Sequence, residues 1–401
     1  MGILNTDGYY TISTYGNNKD LIFNYQSMVH HMRDMNTSEY DFYYLEFKLK
    51  DSFDVHPLHT FVPKEILDKI YNKEAFLMIA NFHEGFLQVV EGIYNSLVIR
   101  DKIPAEQIIF GSGNYDILAE VQRISKETGY PEIRVEWWLE LEYCQRERKK
   151  IMIGSNPTAP PCQPSTLNTL QIKHYEKKYL NFNRRWRLHR PTMVALLYCH
   201  NILKQGYVSL GDSDMSDQWK DYWWYIISEA KAHPKVHRLL SQNEKEICNL
   251  PRLYIDTEDL VTNRAWLDND TDWLYNDTYF SLVSETMYFQ DRKHDGGRYL
   301  TEKVFKAITC EHPFVLVSNP KSLPLLHMLG YKTFSPWIDE SYDDEMDDYE
   351  RMLKICKEVK RLCNLKPVEL KKFLINCKHI VNHNIEVLMN KKNFVYKMNY
   401  K

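Results

Sequence analysis

Residues 296 to 323, GGRYLTEKVFKAITCEHPFVLVSNPKSL, set an acid beside a base at the start of an amphipathic run. A short apolar stretch, Pro313 to Val317, follows. Thr301 is placed to cap a helix whose first turn holds Glu302 and Lys303. A helix N-terminus presents free N–H groups and the positive end of the peptide dipoles, a natural seat for phosphate. Lys303 would add a full charge to that seat. Glu302 could accept hydrogens from ribose hydroxyls, as acidic residues do in nucleotide-binding folds. A plain cap with a solvated acid and base would use the same residues.

A second group lies in NFNRRWRLHRP, Asn181 to Pro191, where Arg184, Arg185, Arg187 and Arg190 surround Trp186. Guanidinium forks match phosphate oxygens two at a time, so a basic loop after a strand suits a diphosphate leaving group. A solvated basic surface or a nucleic-acid contact would read the same way. In NFHEGF, His83 and Glu84 stand at a strand-to-helix turn. An imidazole or carboxylate there could act as general base toward a hydroxyl acceptor; an exposed acid at a helix start gives the same pattern. The glycine-rich turn in FGSGN, Phe110 to Asn114, lacks the full dinucleotide signature. GDSD, Gly211 to Asp214, and DND at 268 to 270 have a spacing that can hold a divalent metal, but so short a pattern arises often by chance, and no metal is predicted. The acidic run DESYDDEMDDYE suits the positive end of a helix dipole.

These residues need a scaffold, and the sequence supplies one. YDFYYLEFKLKD, from Tyr40, alternates like a strand. AFLMIANFHEGF and EQIIFGSGNYD each run from an apolar strand through a polar turn toward a helix, and IRVEWWLELEY reads as a further strand. Strand–helix alternation predicts a parallel, Rossmann-like sheet. SNPTAPPCQPSTLN, Ser155 to Asn168, is too rich in proline for a helix or central strand and is expected to mark a domain boundary. Beyond it a helix is expected to begin near Pro191, YVSLGD and YFSLVSET read as strands, and DDYERMLKICKEVKRLCNL as an amphipathic helix. The predicted division is 1–165, 166–375 and a helical tail, 376–401.

The chain has 401 residues, enough for two domains, with 44% hydrophobic and 26% charged residues. A net charge of -3 argues against bulk attraction to nucleic acid but leaves room for a local basic patch. The 8 cysteines are scattered, as expected of reduced thiols in a cytosolic protein. No apolar run has the length of a membrane span. The expected location is the cytoplasm of its own cell or of a host cell.

The segments SLVSETMYF and GRYLTEKVFKAITCEHPFVLVSNPKSLPLLHMLGYKTF resemble the donor-binding half of the fucosyltransferase-like glycosyltransferases of the alpha-1,3 type. The extension GYKTFSPWIDESYDDEMDDYERM looks like phage and giant-virus relatives of those enzymes. The resemblance covers roughly Tyr279 to Arg351. It implies an α/β fold of the GT-B kind: two Rossmann-type domains facing across a cleft, with C-terminal helices. It sets Ser284-Glu285-Thr286 at the family's acidic turn and matches Tyr299, Thr301, Glu302 and Lys303 to a helix start that binds the donor. Glu302 would take the ribose, and Lys303 the diphosphate, with Arg184 or Arg185 as the upstream arginine and Arg187 in the same cluster. The polar loop holding Asn319 would close over the base or sugar. The implied reaction is an inverting transfer from a nucleotide sugar, GDP- or UDP-linked, with no required cofactor. Glu84 is the first choice of base and His83 the second. The acceptor is expected to be a glycan or a hydroxylated base in DNA. The competing expectation is a non-catalytic nucleic-acid-binding protein that uses the cluster from Arg184 to Arg190.

Overall fold

The computed structural model describes residues 3–6, 9–13, 41–46, 56–81, 85–155, 175–183, 186–210, 219–251, 253, 255, 272–290 and 296–399. The chain forms two compact units. The first takes Met1–Leu141, Asp291–Tyr299 and Lys392–Lys401; the second takes Glu142–Gln290 and Leu300–Lys391.

The first unit is built on a seven-stranded sheet. Its strands are β1 (Ile3–Thr6), β2 (Tyr9–Ser13), β3 (Asp41–Glu46), β4 (Ala75–Asn81), β5 (Ile108–Ser112), β6 (Arg134–Trp138) and, from the far end of the chain, β11 (Val395–Lys397). The strands from β2 to β6 run parallel, while β1 and β11 close the two edges antiparallel. β4 is apolar from Ala75 to Ala80, as a strand covered on both faces should be. α1 (Lys64–Tyr71) precedes β4, α2 (Val89–Ile93) follows it, and α3 (Ile117–Thr128) follows β5. α3 buries Ile117, Val121 and Ile124, one helical stripe, and stops at Gly129, whose positive φ a side chain would resist.

The second unit holds a four-stranded, wholly parallel sheet. Its order is β10 (Phe314–Val317), β9 (Phe280–Ser284), β7 (Tyr179–Asn181) and β8 (Gly206–Val208). Every residue of β9 and β10 is buried. α4 (Glu140–Ser155) carries the chain in from the first unit. α5 (His189–Cys199) follows β7; α6 (Trp219–Glu229), α7 (Pro234–Gln242), α8 (Glu244–Cys248) and α9 (Asp272–Tyr275) fill the interval before β9. α10 (Glu302–Thr309) packs on β9 and β10, and α11 (Ser322–Met328) follows β10. α12 (Asp348–Cys363) and α13 (Pro367–Asn390) end this unit.

Both units are thus α/β with parallel strands, as the alternation of segments predicts. The divisions differ from the expected ranges. The chain passes between units within α4, not at the proline-rich stretch, whose residues 156–168 lie outside the described residues. No independent tail begins at residue 376, because α13 runs unbroken across that point and β11 then joins the sheet of the first unit. The stretch LELEY, expected to continue a strand, is instead the entry to α4, since β6 ends at Trp138. α5 starts two residues before Pro191, which sits in the first turn, where its missing N–H leaves no bond unmade.

Candidate functional site

In the second unit the four strands end at Val317, Ser284, Asn181 and Val208, all on one edge because all are parallel. Ligands of open α/β sheets bind beyond this carboxyl edge. The expected helix start is there. Thr301 has the extended backbone of an N-cap, and its hydroxyl accepts the N–H of Lys303. Val304, Phe305, Ala307 and Ile308 are buried and anchor α10, while Glu302 and Lys303 keep part of their side chains in solvent.

The Lys303 ammonium donates to three oxygens: Thr286 Oγ1 at 3.1 Å, Thr301 Oγ1 at 3.1 Å and Glu302 Oε1 at 2.7 Å. Enclosure opposes ionisation of Glu302, but the Lys303 charge, with help from Arg190, outweighs it and holds this carboxyl below its ordinary range. The turn therefore sets a carboxylate, favoured in its ionised form, directly beside Lys303.

Glu285, at the end of β9, is fully buried. Its Oε1 accepts the Thr301 N–H at 3.0 Å, and its Oε2 accepts the Thr301 hydroxyl. Burial raises its pKa, while Lys303 and the Thr301 bonds oppose the rise. The Glu285 carbonyl accepts from His189 Nε2 at 2.9 Å and from Arg190 Nη2 at 3.1 Å. A carbonyl can only accept, so Nε2 carries the His189 proton. Burial, then the charge of Arg190, hold His189 well below the usual imidazole value, and the ring is neutral. It stacks on Tyr288, with ring centroids 5.3 Å apart.

Buried amides and hydroxyls continue along the edge. Asn181 Nδ2 donates to the Leu282 carbonyl at 2.6 Å and to Ser284 Oγ at 3.1 Å. Asn183 donates from Nδ2 to Asn181 Oδ1 at 2.5 Å and to the Ser209 carbonyl at 3.1 Å. In the loop after β10, Asn319 is buried and its carbonyl accepts from Ser322 Oγ at 2.7 Å. Buried Arg351 donates from Nε to the Ser318 carbonyl at 3.2 Å and from Nη2 to the Tyr288 carbonyl at 2.9 Å, holding the loop after β10 in place.

The expected site residues divide accordingly. Ser284, Glu285, Thr301, Glu302 and Lys303 come together around one turn, and Asn319 lies in the loop after the adjoining strand, β10. Glu285 is enclosed, and both its oxygens serve Thr301. Arg187 is half-buried at the mouth of α5, where its carbonyl accepts the Arg190 N–H at 2.8 Å. Tyr299 belongs to the first unit. It is buried with its ring against Gly85, where a Cβ would come within 2.9 Å of Cδ1. His83, Glu84, Arg184 and Arg185 lie outside the described residues, as do both Asp-x-Asp stretches. Among the described residues, no group of three or more His, Cys, Asp or Glu is placed to hold a metal ion, and no helix is long and apolar enough to cross a membrane.

His189 and the pair Asn181 and Asn183 were not singled out from the sequence. Two amides spaced by two at a strand end do carry a signal, because they point to the same face. His189 had none beyond its place among arginines.

No model of a known protein family matches the chain, and no curated protein matches it. Among solved structures, it is similar to an alpha,alpha-trehalose-phosphate synthase (UDP-forming) from Burkholderia vietnamiensis. That likeness has a TM-score of 0.40 and 10% identity, and covers 93% of this chain and 77% of the other. It is also similar to an E. coli structure described as trehalose-6-phosphate bound with UDP-2-fluoro glucose. There the TM-score is 0.39, the identity 11%, and the coverage 93% of this chain and 78% of the other.

Proposed function

We propose that this chain is a glycosyltransferase that moves a sugar from a nucleoside-diphosphate sugar to a hydroxyl acceptor. The observation that carries the reading is the start of α10. There an ammonium, held by two threonine hydroxyls and a carboxylate, stands at the positive end of a helix beyond the carboxyl edge of a parallel sheet. As the bond between sugar and phosphate breaks, negative charge grows on the departing diphosphate. A cation and a helix dipole fixed beforehand stabilise that charge with little reorganisation. Glu302, ionised beside Lys303, is the acceptor for ribose hydroxyls. The resemblance of the Tyr299 to Lys303 stretch to the fucosyltransferase-like enzymes adds the rest of the reading: a GT-B arrangement and inversion at the sugar.

In that reaction the acceptor oxygen bonds to the anomeric carbon as the carbon–oxygen bond to the diphosphate breaks. Glu84, or failing it His83, takes the acceptor proton, and the nucleoside diphosphate leaves with the bonding pair. Arg184 or Arg185 joins Lys303 at the diphosphate. The donor is a UDP- or GDP-sugar, the acceptor a glycan or a hydroxylated DNA base, and the setting the cytoplasm of the cell or of a host. The test is a thermal-shift titration with UDP, GDP and their sugars, run beside Lys303→Ala. Selective stabilisation of the wild type, absent in the variant, is expected. Equal shifts in both proteins, or none in either, would overturn the reading.

A further inference from the structure

We infer that Glu285 is a positioning residue that fixes the Lys303 ammonium through Thr301 without touching a ligand. The inference rests on the reading of Lys303 as the partner of a diphosphate. Glu285 is fully enclosed, and its two oxygens receive the N–H and the hydroxyl proton of Thr301. The direction of that second bond has a consequence. A hydroxyl has one proton and two lone pairs. With the proton given to Glu285, both lone pairs of Thr301 Oγ1 face Lys303, whose N–H lies at 3.4 Å and whose ammonium lies at 3.1 Å. The carboxylate thus sets the polarity of the hydroxyl, and the hydroxyl sets the place of the charge.

The backbone of Glu285 is held as firmly as its side chain. Its N–H donates to the Val317 carbonyl at 2.9 Å on β10. Its carbonyl takes His189 and Arg190 from the start of α5. An amide at position 285 fills the same space but brings one acceptor and one NH2 group. Whichever way the amide turns, its NH2 lacks a free acceptor: it faces either the Thr301 N–H or a hydroxyl oxygen whose two lone pairs already receive hydrogens from Lys303. The ammonium, at the end of the longest side chain of the three, is the partner that yields.

Glu285→Gln should therefore weaken the nucleoside diphosphate and spare the nucleoside. The experiment is calorimetric titration of wild type and variant with UDP and uridine, and with GDP and guanosine. The expected loss is roughly tenfold or more for the diphosphate, the scale of a hydrogen bond to a charged group, with the nucleoside within about twofold. Thr301→Val, which keeps the shape and removes the hydroxyl, should show the same selective loss, and Thr301→Ser should restore wild-type behaviour. The two Thr301 variants decide the matter should Glu285→Gln fail to fold. Equal weakening of nucleoside and diphosphate, or an unaltered ratio, makes Glu285 a packing residue and overturns the inference alone. A wild-type protein that binds neither diphosphate overturns the proposed function and this role with it.

Discussion

The Lys303 ammonium lies 2.7 Å from the carboxylate of Glu302, its neighbour in sequence. Adjacent residues of a helix do not ordinarily face one another. Here the lysine stem bends back over the first turn, because Thr286 and Thr301 hold its ammonium from the other side. A diphosphate that takes this ammonium competes with Glu302. Glu302→Gln should accordingly bind UDP or GDP at least as tightly as wild type while losing discrimination against the 2′-deoxy nucleotide. Titration with ribo- and deoxyribonucleotides measures both.

Removing the ammonium acts on turnover. Lys303→Ala should lower kcat/KM by roughly a hundredfold to a thousandfold, the range for deleting one fixed stabiliser of a developing negative charge. Its melting temperature should stay within a few degrees of wild type, because the stem is partly in solvent. Wild-type turnover in this variant would remove Lys303 from the reaction.

Thr301→Ala tests the cap itself. It deletes the hydroxyl that receives the Lys303 N–H and leaves Oε2 of Glu285 without that bond inside the protein. The cap contributes about 1 kcal/mol, and an unmatched buried acceptor costs about 1–3 kcal/mol. The expected loss by urea denaturation is therefore about 2 kcal/mol or more, with Thr301→Ser close to wild type.

Glu340 gives a pH dependence that lies away from the candidate site. Burial pushes its pKa from 4.5 to about 7, against the bonds it accepts from Thr333 Oγ1 and the Phe334 N–H. Between those two values the folded chain holds the proton more tightly than the unfolded chain. Stability from this group is complete below pH 4.5 and is lost as pH rises to about 7, by at most about 3 kcal/mol. Glu340→Gln should flatten that part of the pH–stability curve. An unchanged slope would show that other groups set it.

Gly85 and Gly297 test the first unit. Both have positive φ. A Cβ at Gly297 would fall 2.5 Å from the Asn114 amide, and one at Gly85 would strike the Tyr299 ring. Asn114 Nδ2 also donates to the carbonyls of Gly85 and Gly296, at 2.7 and 3.1 Å, so it clips the returning segment to the loop after β4. Alanine at either position should cost about 1–3 kcal/mol by strain and overpacking. Limited proteolysis after Arg298 should report the loosened segment.

The sequence carried the local features well. The start of α10 at Thr301 was legible because a cap residue, a charged first turn and an apolar stripe all fall within eight residues. Strands β4, β5, β9 and β10 were legible as short apolar runs bounded by turns. What failed was non-local. β11 has three residues, too few for a period, and it is a strand because β6 offers an open edge. The passage between units lies inside α4, which has no glycine or proline before residue 154 to announce it. Glu285 was named only through the resemblance, and its enclosure by α5, β10 and Thr301 depends on contacts far apart in sequence, which no local pattern announces.

The first unit draws on three separate stretches of chain, and one of its two edge strands, β11, follows the whole of the second unit in sequence. On the ribosome, domains generally fold in the order they emerge. Here that order is broken: the sheet begun before the second unit waits, with the edge of β6 open, until the whole of that unit has been made. An open edge is a template for pairing with another chain. During translation, the open flank of β6 is therefore exposed to pairing with another chain.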